Sequence, residues 1–242
     1  GAAVEGGEAG GVRLEPRFGG DAARQELVLE RVGAEVEGAT EWDEQPGVAG
    51  AIYDGDEDGY FVADSGDAID AWVKTADGET YTGYVWPGEC VFPDYTNARV
   101  REWWAGLYED FMAQGIDGVW NDMNEPSVFN GPEVSMDKDA KSLAGLEHRE
   151  WHNLYGMYMQ QATWEGLLQR NEGRDKRPFV LSRSFYAGSQ RWGAIWTGDN
   201  ACKWTHLEAA MPMLLSMGLC GITFAGADVG GGGTGTVRAR AR

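Results

Sequence analysis

The sequence predicts an α/β fold, a partial (β/α)8 TIM barrel with parallel strands, and three observations carry that expectation. After Pro93, short apolar runs alternate with segments of helical period. Two of those runs end abruptly in acids: Ile116, Val119 and Trp120 lead into Asn121-Asp122-Met123-Asn124-Glu125-Pro126, and Ile195-Trp196 lead into Thr197-Gly198-Asp199-Asn200. Acids delivered at the carboxyl ends of buried parallel strands are where barrel enzymes keep their chemistry. The competing fold, a doubly wound sheet, lacks its Gly-x-Gly-x-x-Gly fingerprint at the start of any helix. Four or five plausible barrel strands make the barrel a partial one.

Taken in order, residues 1–57 are rich in Gly, Ala and Glu and offer little to bury, which predicts a poorly ordered acidic segment. Residues 58–231 form the barrel piece, and 232–242 are a flexible Gly/Arg tail. Asp58 to Val62, Ala71 to Lys74 and Tyr81 to Trp86 read as short strands, with Asp77-Gly78 a turn and Pro87-Gly88 a stop. Thr96 or Asn97 caps a helix whose Val100, Trp104, Leu107, Tyr108 and Phe111 share a face, ending at Gly115. The strand through Val119 to Asp122 follows. A Pro/Gly/Asn/Asp-rich loop then leads to a helix from Leu146 to Gln169, and Phe179 to Arg183 and Ala194 to Asp199 are strands. Thr205-His206-Leu207-Glu208 reads as a capping box opening a helix that Pro212 kinks and Gly218 ends. Gly221 to Asp228 is the last strand.

Bulk numbers narrow the function. The net charge of −19 excludes a nucleic-acid backbone as partner. Residues 1–70 hold 18 acids against 4 arginines, a net of −14, so the remainder carries only −5. Cys90, Cys202 and Cys220 make neither a zinc pattern nor a disulfide framework. The N-terminus has no signal-peptide pattern, and Gly and Pro interrupt the longest apolar stretch, so no membrane insertion is expected. Eleven Trp provide flat apolar faces on which sugar rings stack, although most of them belong in a core.

Two carboxylates on separate strand ends among tryptophans fit glycosidic bond cleavage. A retaining enzyme places a nucleophile and an acid/base about 5–5.5 Å apart. Asp122 suits the nucleophile, with the amides of Asn121 and Asn124 placed to keep it ionised. Asp199 suits the acid/base, in a tight, partly dry setting beside Trp196 and Gly198. Arg183, ending the intervening strand, offers paired donors to hydroxyls or carboxylates. Blander readings compete: Asp122 and Glu125 as loop caps, Asp199-Asn200 as an Asx turn, and Arg183 as a structural cation paired with Asp228 or Glu125. His148 and His152 lie at i and i+4, a metal-compatible spacing, but no third ligand is evident and no metal is expected.

At these residues the chain resembles glycoside hydrolase family 31. Trp120 to Pro126 resembles its nucleophile signature, and Ser182 to Arg191 followed by Trp196 to Asn200 resembles its acid/base region. Trp86-Pro87-Gly88, Pro93 to Asn97 and Gly226 to Gly230 match further blocks in the same order. Asn130 to Glu133 and His148 to Asn153 are most similar to the branch that trims α-1,3-linked glucose from N-glycans in the endoplasmic reticulum. The resemblance implies Asp122 as nucleophile and Asp199 as acid/base. It also implies Trp86, Met123, Arg183 and Trp196 as walls of a glucose subsite, with Asp228 on the rim and Asn121, Asn124 and Glu125 in support. No cofactor is implied. The partners implied are an oligosaccharide or N-glycan substrate and a regulatory beta subunit, and the implied location is the endoplasmic reticulum lumen. Val48 to Asp56 does not reproduce the family's earlier strand end, and Gly232 stands where an aromatic is expected. A catalytically inactive carbohydrate-binding or scaffold fragment is therefore the alternative, with transglycosylation or lyase chemistry a third outcome for the same fold.

Overall fold

The computed structural model describes residues 30–31, 52–53, 61–85, 88–113, 118–170 and 177–230. Its strands are β1 Glu30–Arg31, β2 Ile52–Tyr53, β3 Thr82–Val85, β4 Gly88–Val91, β5 Gly118–Asn121, β6 Phe179–Ser182, β7 Ala194–Trp196 and β8 Ala225–Gly226. Its helices are α1 Phe61–Asp67, α2 Ala98–Gly106, α3 Glu109–Ala113, α4 His148–Trp151, α5 Tyr155–Gln169 and α6 Trp204–Leu219. Most of the N-terminal segment and all of residues 232–242 lie outside the described residues, as does Trp86.

A five-stranded sheet runs in the order β1-β5-β6-β7-β8. Its strands β5 to β8 are parallel neighbours, with Asn121 opposite Ser182, Ser182 opposite Ile195 and Trp196 opposite Gly226. That register brings four consecutive strand ends to one edge. At the outer flank β1, which belongs to the N-terminal segment and not to the 58–231 barrel piece, pairs antiparallel to β5. A second, antiparallel sheet is ordered β2-β4-β3. Strand β3 stops at Val85, ahead of Pro87-Gly88, and Gly88 then opens β4 as the second strand of a hairpin, a reversal that its φ of 122° suits.

Five expectations need correction. Phe61 and Val62 belong to α1, not to a strand; an apolar run this short has no readable period, and Val62, Ala63 and Gly66 bury one helical face. Trp72 and Lys74 make only isolated bridges, one of them to Pro93, which lacks the N–H that a ladder needs. The helix expected over 146–169 is broken at Trp151 (φ −127°, ψ 5°) into α4, a 3-10 turn and α5. Finally, α6 starts at Trp204 after Lys203, which places Thr205 inside the first turn with no side-chain cap, and it runs through Pro212 to Leu219. Gly221 to Asp228 supplies only the two-residue β8.

The core sits between α2, α5 and the hairpin. Asn97 caps α2 by accepting from the Arg99 N–H, and it directs Val100 and Trp104 inward. Tyr95 meets Trp104 and Tyr155 edge-on, with centroids 5.3 and 5.2 Å apart, the arrangement that ring quadrupoles favour. The Trp104 Nε1–H donates to Thr163 Oγ1 at 3.2 Å, which satisfies the indole inside the core. Two glycines set the spacing of α5. A Cβ at Gly166 would lie 2.8 Å from the Ala105 backbone, so α2 and α5 approach closely only because it is absent. At Gly156 a Cβ would meet Ser184 at 2.6 Å and the Asn124 carbonyl at 2.7 Å, so α5 supports the loops that follow β5 and β6. No helix among the described residues is long and apolar enough to cross a membrane.

Candidate active site

The parallel register puts Asp122 one residue beyond β5, Arg183 one beyond β6, Asp199 three beyond β7 and Asp228 two beyond β8, all at the carboxyl edge. The Arg183 N–H donates to the Asn121 carbonyl at 3.0 Å, which continues the ladder past its last paired residues. Met123 turns the chain after the strand with φ 56° and is buried.

Arg183 organises the edge. Its Nη1 lies 3.0 Å from Asp122 Oδ1 and 3.1 Å from Asp199 Oδ2. Since one nitrogen reaches both, those oxygens are no more than about 6 Å apart, a proximity that a retaining pair requires. Its Nε and Nη2 donate to the two oxygens of Glu125 at 2.7 and 3.1 Å, a bidentate grip. Nη2 also reaches Ser127 Oγ at 3.2 Å and Met123 Sδ at 3.1 Å. The guanidinium carbon stands 5.8 Å from the Trp196 ring centroid, and Trp196 in turn meets Trp120 edge-on at 5.0 Å.

The three acids differ in setting. The Asp122 side chain is 28% exposed, and burial raises its pKa from the ordinary value against the opposing pull of Arg183 and the Met123 N–H. Glu125 also loses hydration, but its bonds to Arg183, the charge of Arg183 and the Ser127 hydroxyl outweigh burial and hold its pKa low. Asp199 is 67% exposed. The tight, dry setting expected beside Trp196 and Gly198 is absent, because the neighbouring α6 and β8 leave that side of the edge open.

The two asparagines do not serve Asp122 as expected. Asn124 is buried and turned away: it donates to Ser182 Oγ at 2.9 Å and accepts from the Ser184 N–H at 2.9 Å, tying the β5 and β6 loops together. Asn121 is fully buried and neighbours the Tyr108 hydroxyl. Contact with Asp122 comes instead from the Met123 N–H at 2.8 Å and from Arg183. Asp228 joins the rim through its backbone, where its carbonyl accepts from Asn200 Nδ2 at 2.9 Å. The structural-cation reading of Arg183 thus meets Glu125 and not Asp228, and the same guanidinium touches both candidate catalytic acids.

Ser127 was not foreseen. Its hydroxyl donates to Glu125 Oε2 at 2.7 Å and receives Nη2 of Arg183, and its position two residues past Glu125 was the available signal. His148 and His152 bond each other, Nε2 to Nδ1 at 2.8 Å, and so do not converge on a metal. Among the described residues no group of three or more His, Cys, Asp or Glu is arranged to hold one. Burial, reinforced by His152, lowers the His148 pKa to about 3.

Comparison with known proteins adds three findings. Residues 43–238 match the glycosyl hydrolases family 31 TIM-barrel domain, a span wider than the motifs at 58–231. The chain is 56% identical over 175 residues to neutral alpha-glucosidase AB of Dictyostelium discoideum, and 55% identical over 163 residues to a probable glucan 1,3-alpha-glucosidase of Oryza sativa subsp. japonica. These alignments cover 71% and 66% of this chain but only 19% and 18% of those proteins. Its backbone resembles the solved structure of an ER glucosidase II heterodimeric complex of catalytic subunit and regulatory-subunit binding domain (TM-score 0.70, 50% identity, 75% of this chain, 20% of that one). The chain thus spans about a fifth of the length of the proteins it matches.

Proposed function

The chain belongs to glycosyl hydrolase family 31, and on that premise we propose that it is a retaining α-glucosidase acting on terminal α-linked glucose. The observation that carries this reading is Arg183 Nη1 held between Asp122 and Asp199 at the carboxyl edge of a parallel sheet. In the first step Asp122 Oδ attacks the anomeric carbon while Asp199 gives its proton to the departing glycosidic oxygen. A glycosyl ester on Asp122 results. Asp199, now a carboxylate, takes a proton from water as that water attacks the same carbon, releasing glucose and restoring both groups. The more enclosed acid suits the ester-forming role, and the exposed one is reached by the water that the second step needs. A proton on Asp199 removes only one partner from Arg183, since Asp122 and Glu125 remain bound to it. The proximity of Met123 and Trp196 to Arg183 supports them as walls of the glucose subsite on this side.

Similarity to glucosidase II supports N-glycan glucose as the substrate, the endoplasmic reticulum lumen as the location and a regulatory subunit as partner. A second reading, glucoside binding without turnover, is favoured by the open setting of Asp199. One experiment separates them: incubate the chain and Asp122→Asn with an aryl α-glucoside, following released phenol, the first-formed anomer by NMR, and Trp fluorescence. Product appearing first as α-glucose, with Asp122→Asn slowed at least about 10³-fold, is expected. Undiminished turnover by Asp122→Asn, or β-glucose formed first, overturns the reading, and saturable quenching without product selects the second.

A further inference from the structure

The guanidinium of Arg183 has five N–H donors in a fixed fork. Nη1 spends its pair on Asp122 and Asp199, while Nε and Nη2 take both oxygens of Glu125 and Nη2 also meets Ser127. Orientation is therefore set from the edge facing away from the sugar site. Glu125 is itself fixed by the Ser127 hydroxyl at 2.7 Å. On its far side lies a cavity of about 380 Å³ whose titratable and charged walls are Glu133, Lys138, His148, Arg149 and His152. Of the residues lining that cavity, Glu125 and Ser127 bond Arg183, and Glu125 is the anion of the two.

We propose that Glu125 is a positioning residue: by gripping the Nε–Nη2 edge of Arg183 it aims Nη1 into the gap between Asp122 and Asp199. This rests on the assignment of those two aspartates under Proposed function. Glu125 acts through Arg183 and has no bond to either aspartate of its own.

The consequence is a change of sign that an ordinary structural ion pair does not produce. Arg183 pulls the Asp122 pKa down more strongly than Glu125 pushes it up. Where losing Glu125 also frees Arg183, Asp122 titrates at higher pH. Where Arg183 stays in place without it, only the upward influence of Glu125 disappears, and Asp122 titrates at lower pH.

The test is a ¹³C titration of Asp-labelled protein, with the Asp122 signal assigned by Asp122→Asn, on three variants alongside glucoside kinetics. Glu125→Met keeps the bulk and removes both acceptors. Its Asp122 titration and the acid limb of kcat/KM are expected to move to higher pH, with kcat down roughly 10²-fold, the loss expected for a misplaced group. Glu125→Asp keeps the charge but withdraws it by one methylene, and a smaller shift in the same direction is expected. Glu125→Gln keeps the Nε acceptor without the charge, so a shift to lower pH with a kcat loss under about tenfold is expected. A downward or absent shift in Glu125→Met overturns the proposal. If that variant does not fold, the Asp and Gln variants decide, since the proposal requires them to move in opposite directions. A wild-type chain without turnover refutes the glucosidase reading, while the titration still decides the positioning role.

Discussion

The two sides of the sheet edge are built differently. The side carrying Asp122 rests on α5, whose Tyr155 and Met159 share one buried cluster with Trp104 and Tyr108, and Gly156 lets the helix press against the loops that hold Asn124 and Ser184. The side carrying Asp199 rests on α6 and β8, where Trp204 is 78% and Leu219 91% exposed and the core is the small cluster of Ile195, Met217 and Ile222. The prospective nucleophile is therefore held by a rigid, densely packed support, and the prospective acid/base by a thinly packed one. Arg183 joins the two sides at the edge. For double displacement this division is workable, because the ester-forming oxygen needs a fixed line of attack whereas the proton carrier must also admit water.

The comparison breaks most readily in the packed half. Trp104→Ala removes an indole buried among Tyr95, Tyr108 and Thr163, and a loss of about 4 kcal/mol is expected in urea unfolding followed by near-UV circular dichroism. A loss below about 1 kcal/mol would contradict the claim that this side is the rigid one.

Acid sensitivity should track the same half. Burial lowers His148 from 6.5 to about 3, so between those values the unfolded chain binds a proton that the folded chain refuses. Stability therefore rises with pH across that window and falls on acidification. His148→Asn should flatten this dependence by more than about 1 kcal/mol between pH 6.5 and 4, measured as the change in slope and not the level of stability. An unaltered slope would remove His148 from the acid response.

The smallest effect is expected in the open half. Leu215→Ala, on the exposed face of α6, should cost less than about 0.5 kcal/mol, against the several expected for Trp104→Ala. A cost near 2 kcal/mol would mean that this face is covered in solution, and sedimentation of the same sample would show by what mass.

The strand ends were legible because they concentrate a signal: an apolar run that stops at an acid has few other uses, and Asp122, Arg183 and Asp199 all fell on such ends. Helical faces with several aromatic positions, as in α2, were equally readable. The hairpin at Gly88 and the helix at Phe61–Asp67 were not, because runs of four to seven residues carry too little period to separate strand from helix. The partners of the asparagines were also out of reach, since Asn124 reaches Ser182 and Ser184 some sixty positions away.

Sequence alone determined which residues end the strands and that their chemistry is carboxylate and guanidinium, because side-chain type and local period are properties of the chain itself. The order of strands around β5, the sharing of one guanidinium between Asp122 and Asp199, and the capture of its other edge by Glu125 were decided only by the tertiary structure. Those contacts join residues up to 61 positions apart, and they exist only once parallel pairing fixes the register that brings the strand ends to a common edge.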